Sequence, residues 1–594
     1  MKNLWPFLSE YKKESILAPF FKLLESGMDL LVPLVVAAII NQGIAGADSG
    51  LILRCFLLLI GLALLGMGFS FTAQWMAAKA SVGFSSRLRQ ALFDHIQRLS
   101  YRELDTLGTD TLITRMTSDI NQIQNGLNLA LRLLLRSPFI VFGAMAMAFT
   151  IDTPSALIFA GVIPLLSLVV FGIMLLSIPL YTKVQSALDR LLGMTRETLT
   201  GVRVIRAFRK EPREIEEFDR RNDLLTRLNE KVGRLSALMN PGTWLLINLA
   251  AILLIRQGAL RVDAGALRQG DVVALYNYMA QIVVELVKLA SLIITINKSL
   301  ACGRRVQAML ETDPSMTFPP ALPSSLPAGA PAVRFDHVSF SYAPASDAAL
   351  TDISFTVRPG QTVGVIGGTG SGKTTLVQLI PRFYDASEGV VEVDGLDVRR
   401  YPEGALIEKI GVVPQKAVLF EGSIRENLRW GNPAATEEEL WTALEAAQAA
   451  GLVRDREGGL DAHVAQGGRN LSGGQRQRLT IARALVKQPR LLILDDSASA
   501  LDFATDLALR RALAALPGEM TVFIVSQRAS SVRSADLILV LDDGRLVGAG
   551  THDDLLRSCP VYQEIVDSQF PRESESAAEP SPSARPAMEK EVLA

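Results

Sequence analysis

Cysteine is almost missing: the 594 residues contain three, Cys55, Cys302 and Cys559, scattered without metal-ligand spacing. That excludes a cysteine-built zinc site and a disulfide framework. Net charge is just as small, since 60 Lys and Arg against 61 Asp and Glu leave −1. With no long basic run in the C-terminal half, there is no electrostatic case for a nucleic-acid partner. The N-terminus "MKNLWPFLSEYKKES" lacks a small-residue cleavage signature. It is amphipathic, carries Trp5 and Phe7, and runs directly into an apolar segment, which predicts a retained interfacial elbow helix.

What is present divides in two. Residues 1 to about 300 carry long apolar segments, and residues from 333 onward have the Gly-rich turns and alternation of a soluble α/β domain. Six spans are expected, at about 16–40, 51–80, 126–150, 155–180, 243–262 and 271–300, each near the ~20 residues that cross hydrocarbon. Proline is nearly lacking from the long charged stretches 81–125 and 181–242, where only Pro212 and Pro241 occur, so these are expected as helical extensions into water. Lys and Arg crowd those stretches and are missing from "NQGIAGADSG" and "IDTPS", which puts the long loops, both termini and the soluble half in the cytoplasm of a bacterial-type inner or plasma membrane. Arg256, Arg261 and Arg268 depart from this rule.

The fold class expected is therefore an α-helical six-span transmembrane domain with long cytoplasmic helical extensions, followed by an α/β phosphate-loop domain. The boundaries are 1–310 for the membrane part with its elbow, 311–332 for a Pro-rich linker, 333–570 for the nucleotide-binding domain and 571–594 for a tail poor in apolar residues.

The last span carries Asn277, Gln281, Glu285 and Lys288 at steps of four, four and three, along one helical face. A polar stripe at membrane depth avoids lipid. It serves as interhelical glue, with Glu285 paired to Lys288, or as one wall of a substrate cavity, and the two are compatible.

In the soluble half the strand "TVGVI" runs into "GGTGSGKTT" and then into the helical "LVQLI". Gly367, Gly368, Thr369, Gly370, Ser371 and Gly372 let the backbone curl so that its N–H groups face phosphate oxygens, and Lys373, Thr374 and Thr375 open the helix behind them. Lys373 is placed to reach terminal phosphates, and Thr374 to ligate Mg²⁺. Farther on, Leu471, Ser472, Gly473, Gly474 and Gln475 begin an amphipathic helix with small residues, a second phosphate-facing edge. The apolar strand "LLILDD" follows and ends in Asp495 and Asp496.

Phosphate loop, Ser-Gly-Gly helix start and carboxylate-tipped strand, in that order, resemble the ATP-binding-cassette (ABC) family. The likeness extends over the whole chain as a half-transporter of the exporter type, close to the degenerate-site subunit of a heterodimeric multidrug exporter. The resemblance implies ATP and Mg²⁺ as cofactors, a second half-transporter as partner, the bilayer as surroundings and a transported amphipathic small molecule, lipid or peptide. It gives Tyr342 in "FSY" the adenine stack, Gln415 in "VVPQ" the sensing of Mg²⁺, Asp495 the Mg²⁺ carboxylate, and "SALD", Ser499 to Asp502, the cross-dimer loop. Leu471 to Gln475 would cover the ATP held by the partner. The segments "SYRELDT" and "EPREIEEFD" resemble the coupling helices at the tips of the cytoplasmic loops.

The chain departs from its family where catalysis is concentrated. Asp496 stands where Glu is expected as the base, Gln527 where His is expected, and "AQGG" at 465–468 where an acidic "GERG" is frequent. Shortening Glu to Asp withdraws the carboxylate by about 1.5 Å, and a misplacement of about 1 Å costs on the order of a hundredfold in rate. Gln keeps a donor and loses the ability to shuttle a proton. The expected protein is a subunit whose own site binds ATP and hydrolyses it weakly while its intact signature completes the partner's site. An ATP-gated channel, a regulatory subunit or a slow homodimeric exporter are the alternatives.

Overall fold

The structure is a computed structural model that describes residues 2–322, 329–343, 347–497, 499–516 and 518–570. The expected tail from Pro571 and part of the linker lie outside the described residues. The chain forms two compact units: Met1–Arg98 with Leu107–Asp313, and Leu99–Thr106 with everything from Pro314 on.

The first unit is helical. Its elements are α1 (Lys12–Ala38), α2 (Ser49–Arg98), α4 (Thr109–Thr114), α5 (Ile120–Leu133), α6 (Arg136–Ile151), α7 (Thr153–Thr200), α8 (Val202–Ala207), α9 (Glu211–Ala237), α10 (Met239–Asp263) and α11 (Gln269–Leu310); α3 (Tyr101–Leu107) falls mostly in the second unit. Among the described residues six helical stretches are long and apolar enough to cross a membrane: Leu4–Ile44, Ser49–Arg98, Thr109–Ile151, Thr153–Thr200, Glu211–Asp263 and Gln269–Leu310. At 1.5 Å per residue the 50 residues of α2 extend about 75 Å, far beyond a hydrocarbon core of ~30 Å. The surplus is the charged helical extension.

The segment Lys2–Tyr11 is a 3₁₀ helix that buries Leu4 against Phe84 and Leu88 of α2, leaves Trp5 outside, and is tied on by a Glu10–Arg87 pair at 2.6 Å, while Glu14 at the start of α1 pairs with Lys79 at 2.8 Å. Small residues set the close helix packing: Ala144, Ala148, Ala156, Ala250, Ala251 and Ala274 are all buried in one cluster. Gly126 shows why a larger side chain fails there, since a Cβ on it would lie 2.0 Å from Ser299 Oγ, which donates to the Gln122 carbonyl at 2.7 Å.

At one end of the unit α7 begins in "DTPS". The Asp152 carboxylate caps the helix by accepting from Ser155 N at 3.1 Å and also accepts from Arg261 at 2.6 Å. One of the three arginines that departed from the charge rule thus has a buried partner. The segment "EPREIEEFD" corrects an expectation: it opens the 27-residue α9 rather than forming a short tip helix, and the short helix is α8, just upstream. Pro212 near the helix start and acids in the first turn are helix-opening signals, so the periodicity continues into α9.

The second unit is built on three sheets. Strands β1 (Val333–Phe340), β2 (Leu350–Val357), β4 (Glu388–Val393) and β5 (Leu396–Asp397) make an antiparallel sheet in the order β2-β1-β4-β5. Strands β3 (Thr362–Gly367), β6 (Ile410–Val413), β9 (Leu491–Asp495), β10 (Thr521–Val525), β11 (Leu537–Asp542) and β12 (Arg545–Gly550) make the central sheet, β12-β11-β3-β10-β9-β6. The short β7 (Gly422–Ser423) and β8 (His463–Val464) pair separately. Only β12 runs antiparallel in the central sheet. Its strands β9 and β10 are buried along their whole length, as expected where helices cover both faces. In the same unit Arg382 grips Asp385 through two hydrogen bonds, donates to the Thr317 carbonyl at 3.0 Å and lies over the Phe318 ring, anchoring the described part of the linker.

Candidate functional site

Four neighbouring parallel strands bring the sequence-predicted residues to one edge. β3 runs into the Gly-rich loop, β10 into Ser526 and Gln527, β9 into Asp495 and Asp496, and β6 toward Gln415, with Val525 in register with both Val365 and Asp495. Ligands in open α/β sheets bind beyond the carboxyl ends of the strands.

The loop requires its glycines. Gly370 and Gly372 have φ of +83° and +93°, and a Cβ on Gly372 would lie 2.7 Å from the Ala349 carbonyl oxygen. Behind the loop begins α12 (Lys373–Leu379). The buried Lys373 ammonium donates to the carbonyls of Gly367 and Gly368 at 3.1 and 2.5 Å and to Ser371 Oγ at 3.3 Å. Burial pushes its pKa down, opposed by Asp496 and Asp495.

Thr374 Oγ1 donates to Asp495 Oδ1 at 2.9 Å, and Gln415 Nε2 donates to Asp496 Oδ2 at 3.3 Å. Burial raises the Asp495 pKa; the Thr374 hydrogen bond and Lys373 work against that, and the adjacent Asp496 adds to it. A carboxylate that is costly to charge alone has an unmet demand for positive charge. Asp496 sits at φ +46°, a left-handed conformation that Asp adopts more readily than longer side chains, and its carbonyl accepts from the Ser499 hydroxyl at 2.8 Å. Gln527 has an exposed side chain, and its carbonyl accepts from Gln569 at 2.7 Å.

Tyr342 is exposed and half-fixed: its hydroxyl is 2.9 Å from Thr375 Oγ1, and its ring meets Phe340 and Tyr384 edge-on. Tyr384 was not singled out from the sequence. Its hydroxyl bonds to Asp105 in α3, while Tyr101 of α3 stacks on Phe383 with centroids 4.5 Å apart. Here "SYRELDT" is a short helix lodged in the same unit as the nucleotide edge, and only a run of aromatics in "RFYD" hinted at its seat.

The signature residues stand apart. Ser472 caps the helix Gly473–Val486 by accepting from Gln475 N at 3.3 Å, and Gln475 answers with its side chain on Ser472 N at 2.9 Å. Leu471 is buried, Ser472 and Gly473 are exposed, and a Cβ on Gly474 would lie 3.0 Å from the Ala500 carbonyl oxygen. Among the described residues no hydrogen bond joins 471–475 to the phosphate loop.

An ABC transporter transmembrane region profile matches residues 15–286 and an ABC transporter profile matches residues 350–499. An ABC transporter ATP-binding protein of Mycobacterium tuberculosis is 37% identical over 564 residues, covering 94% of this chain and 96% of its own. The chain belongs to the ABC transporter family. It is also similar to an ATP-dependent lipid A-core flippase of Desulfotalea psychrophila, 32% identical, with 81% of this chain and 84% of that protein covered. A bacterial Atm1-family ABC exporter with ATP bound matches in structure with a TM-score of 0.78 at 25% identity, over 94% of this chain and 99% of that one. This ABC half-transporter is accordingly an integral membrane protein with the exporter fold, an ATPase coupled to transport, and one half of a dimer.

In the membrane unit of this ABC half-transporter, Asn277 and Gln281 are half-buried, Glu285 is buried and Lys288 is exposed. Glu285 accepts from Lys288 at 3.0 Å and from Ser137 at 2.8 Å, so the intrahelical pair and an interhelical bond coexist. Arg136 of α6 lies 3.6 Å from Glu285 and also faces Glu25 and Asp29 of α1, with Lys22 paired to Glu25, none of them singled out from the sequence. Their signal was present: charges at steps of three and four inside an apolar span.

Proposed function

We propose that this chain is the degenerate-site subunit of a heterodimeric exporter in the inner or plasma membrane, with both termini cytoplasmic, that moves an amphipathic molecule. The observation that carries this reading is Asp496 in the catalytic-base position, a shorter carboxylate tied to Gln415, with Gln527 in the place of the switch histidine. In this reading Gly367 to Thr375 hold the phosphates, Tyr342 stacks on adenine, and Leu471 to Gln475 cover the partner's ATP. Thr374, Gln415 and Asp495 offer oxygen donors of the kind Mg²⁺ prefers, and the bound ion would neutralise charge on the terminal phosphates. ATP closure then biases one of two packed states of the membrane halves, and hydrolysis at the partner's catalytic carboxylate releases it. The likeness to a lipid A-core flippase supports a lipid-like cargo.

One observation favours a slow homodimer instead: the left-handed φ at Asp496 suits Asp, and Gln415 keeps the carboxylate in the site. Purified chain, alone and with its partner, separates the two. A heterodimer whose ATPase survives Asp496→Asn and collapses when Ser472 and Gly474 are altered supports the proposal. Robust hydrolysis by the isolated chain, abolished by Asp496→Asn, overturns it.

A further inference from the structure

Three helices carry ionisable side chains near the midpoints of their apolar spans. Asp29 lies near the midpoint of the span 16–40, Arg136 near that of 126–150 and Glu285 near that of 271–300. They are joined: Arg136 lies 3.1 Å from Asp29, 3.6 Å from Glu285 and 4.0 Å from Glu25. Glu25 is paired in turn to Lys22 at 2.5 Å, and Glu285 to Lys288 at 3.0 Å. Three cations and three carboxylates balance, so the core of the network is neutral.

The two ends differ from the middle. The Glu25 and Glu285 side chains are 12% and 5% exposed and Arg136 is 16% exposed, whereas Asp29 is 44% and Lys288 46% exposed. A charge at the bilayer centre costs about 2.5–3.5 kcal/mol even on insertion scales, so this face is turned to a polar space rather than to lipid tails. Beside Asp29, Gln281 donates to the Asp29 backbone carbonyl at 3.4 Å, while its own side-chain oxygen is buried with no partner, as is Arg136 Nε. The network therefore presents one exposed carboxylate and one exposed ammonium, linked through Arg136 and Glu285.

We infer that Asp29 and Lys288 form the two poles of a mid-membrane site for the head group of a zwitterionic amphiphile. Its cationic group sits on Asp29 and its anionic group on Lys288. A purely cationic or anionic head group matches one pole, leaves the other unpaired and adds a net charge to a low-dielectric site, which is costly. A zwitterion satisfies both poles and keeps the balance. The inference rests on the exporter reading and names its cargo class.

Three probes with one tail isolate the head group: dodecylphosphocholine, dodecyl phosphate and dodecyltrimethylammonium, competed against labelled dodecylphosphocholine on the full chain in a non-ionic maltoside detergent. The wild type should prefer the zwitterion over both others by about tenfold or more, the worth of one charge-assisted contact. Asp29→Asn should weaken the zwitterion and the cation about tenfold and spare dodecyl phosphate. Lys288→Gln should weaken the zwitterion and the anion and spare the cation, and Lys288→Arg should restore binding. Equal affinity for the three probes in the wild type overturns the site without needing any variant to fold, and so do variants that shift all three probes together. Absence of probe-stimulated ATPase in the complete dimer with its partner, with binding to this chain intact, would count against the exporter reading instead, since binding is read without turnover.

Discussion

Gln415 and Asp496 meet at 3.3 Å across the ends of β6 and β9, so the residue that follows Asp495 is already engaged by its neighbour. Restoring length should therefore have a measurable effect. Asp496→Glu is expected to raise ATP hydrolysis by the isolated chain about tenfold. That is less than the hundredfold of a full ~1 Å correction, because Glu is less at ease with the left-handed backbone at this position. Unchanged steady-state turnover would show that carboxylate reach is not what limits this site.

Nucleotide affinity should separate two roles. With Lys373 in its proposed role at the terminal phosphates, Lys373→Ala should weaken ATP binding by about ten- to a hundredfold. Asp496→Asn keeps the shape of the side chain and should shift the dissociation constant by no more than about twofold. Equal losses in a fluorescent-ATP titration would refute the assignment.

The seat of α3 should govern coupling. Tyr101→Ala deletes the stack on Phe383 and is expected to cut cargo-stimulated ATPase by about two- to tenfold, the equivalent of ~0.5–1.5 kcal/mol for an aromatic pair. ATP binding should be unaffected. A parallel fall in binding would place Tyr101 in the nucleotide site itself.

Arg261→Ala leaves the buried Asp152 carboxylate with only its helix-capping bonds. Because Arg261 is a third exposed, the loss is expected at about 1–2 kcal/mol rather than the full buried-pair value. The thermal midpoint of the detergent-solubilised protein should fall by a few degrees and recover in Arg261→Lys. No change would mean that solvent already screens the pair.

The parts of the molecule legible in the sequence are those written over contiguous residues. Apolar length placed the six spans, and the spacing of glycines before Lys373 placed the phosphate loop, because helix periodicity and a tight loop are local properties of the chain. The departures at Asp496 and Gln527 were legible for the same reason. Tip-helix placement failed at "EPREIEEFD" because a charged segment with helix-start signals looks alike whether the helix stops after two turns or continues for 27 residues.

What only the tertiary structure decided lies between distant residues. The order β3-β10-β9-β6 puts Lys373, Gln415, Asp495 and Gln527 on one edge, and no periodicity encodes strand order. The Arg136–Asp29 bond joins residues 107 apart and the Ser137–Glu285 bond residues 148 apart. In the sequence these residues lie in separate apolar spans, and no spacing pairs them across helices. Helix packing sets Arg136 between Asp29 and Glu285, and those pairings across helices lower the cost of burying the carboxylates and join the intrahelical pairs into a network.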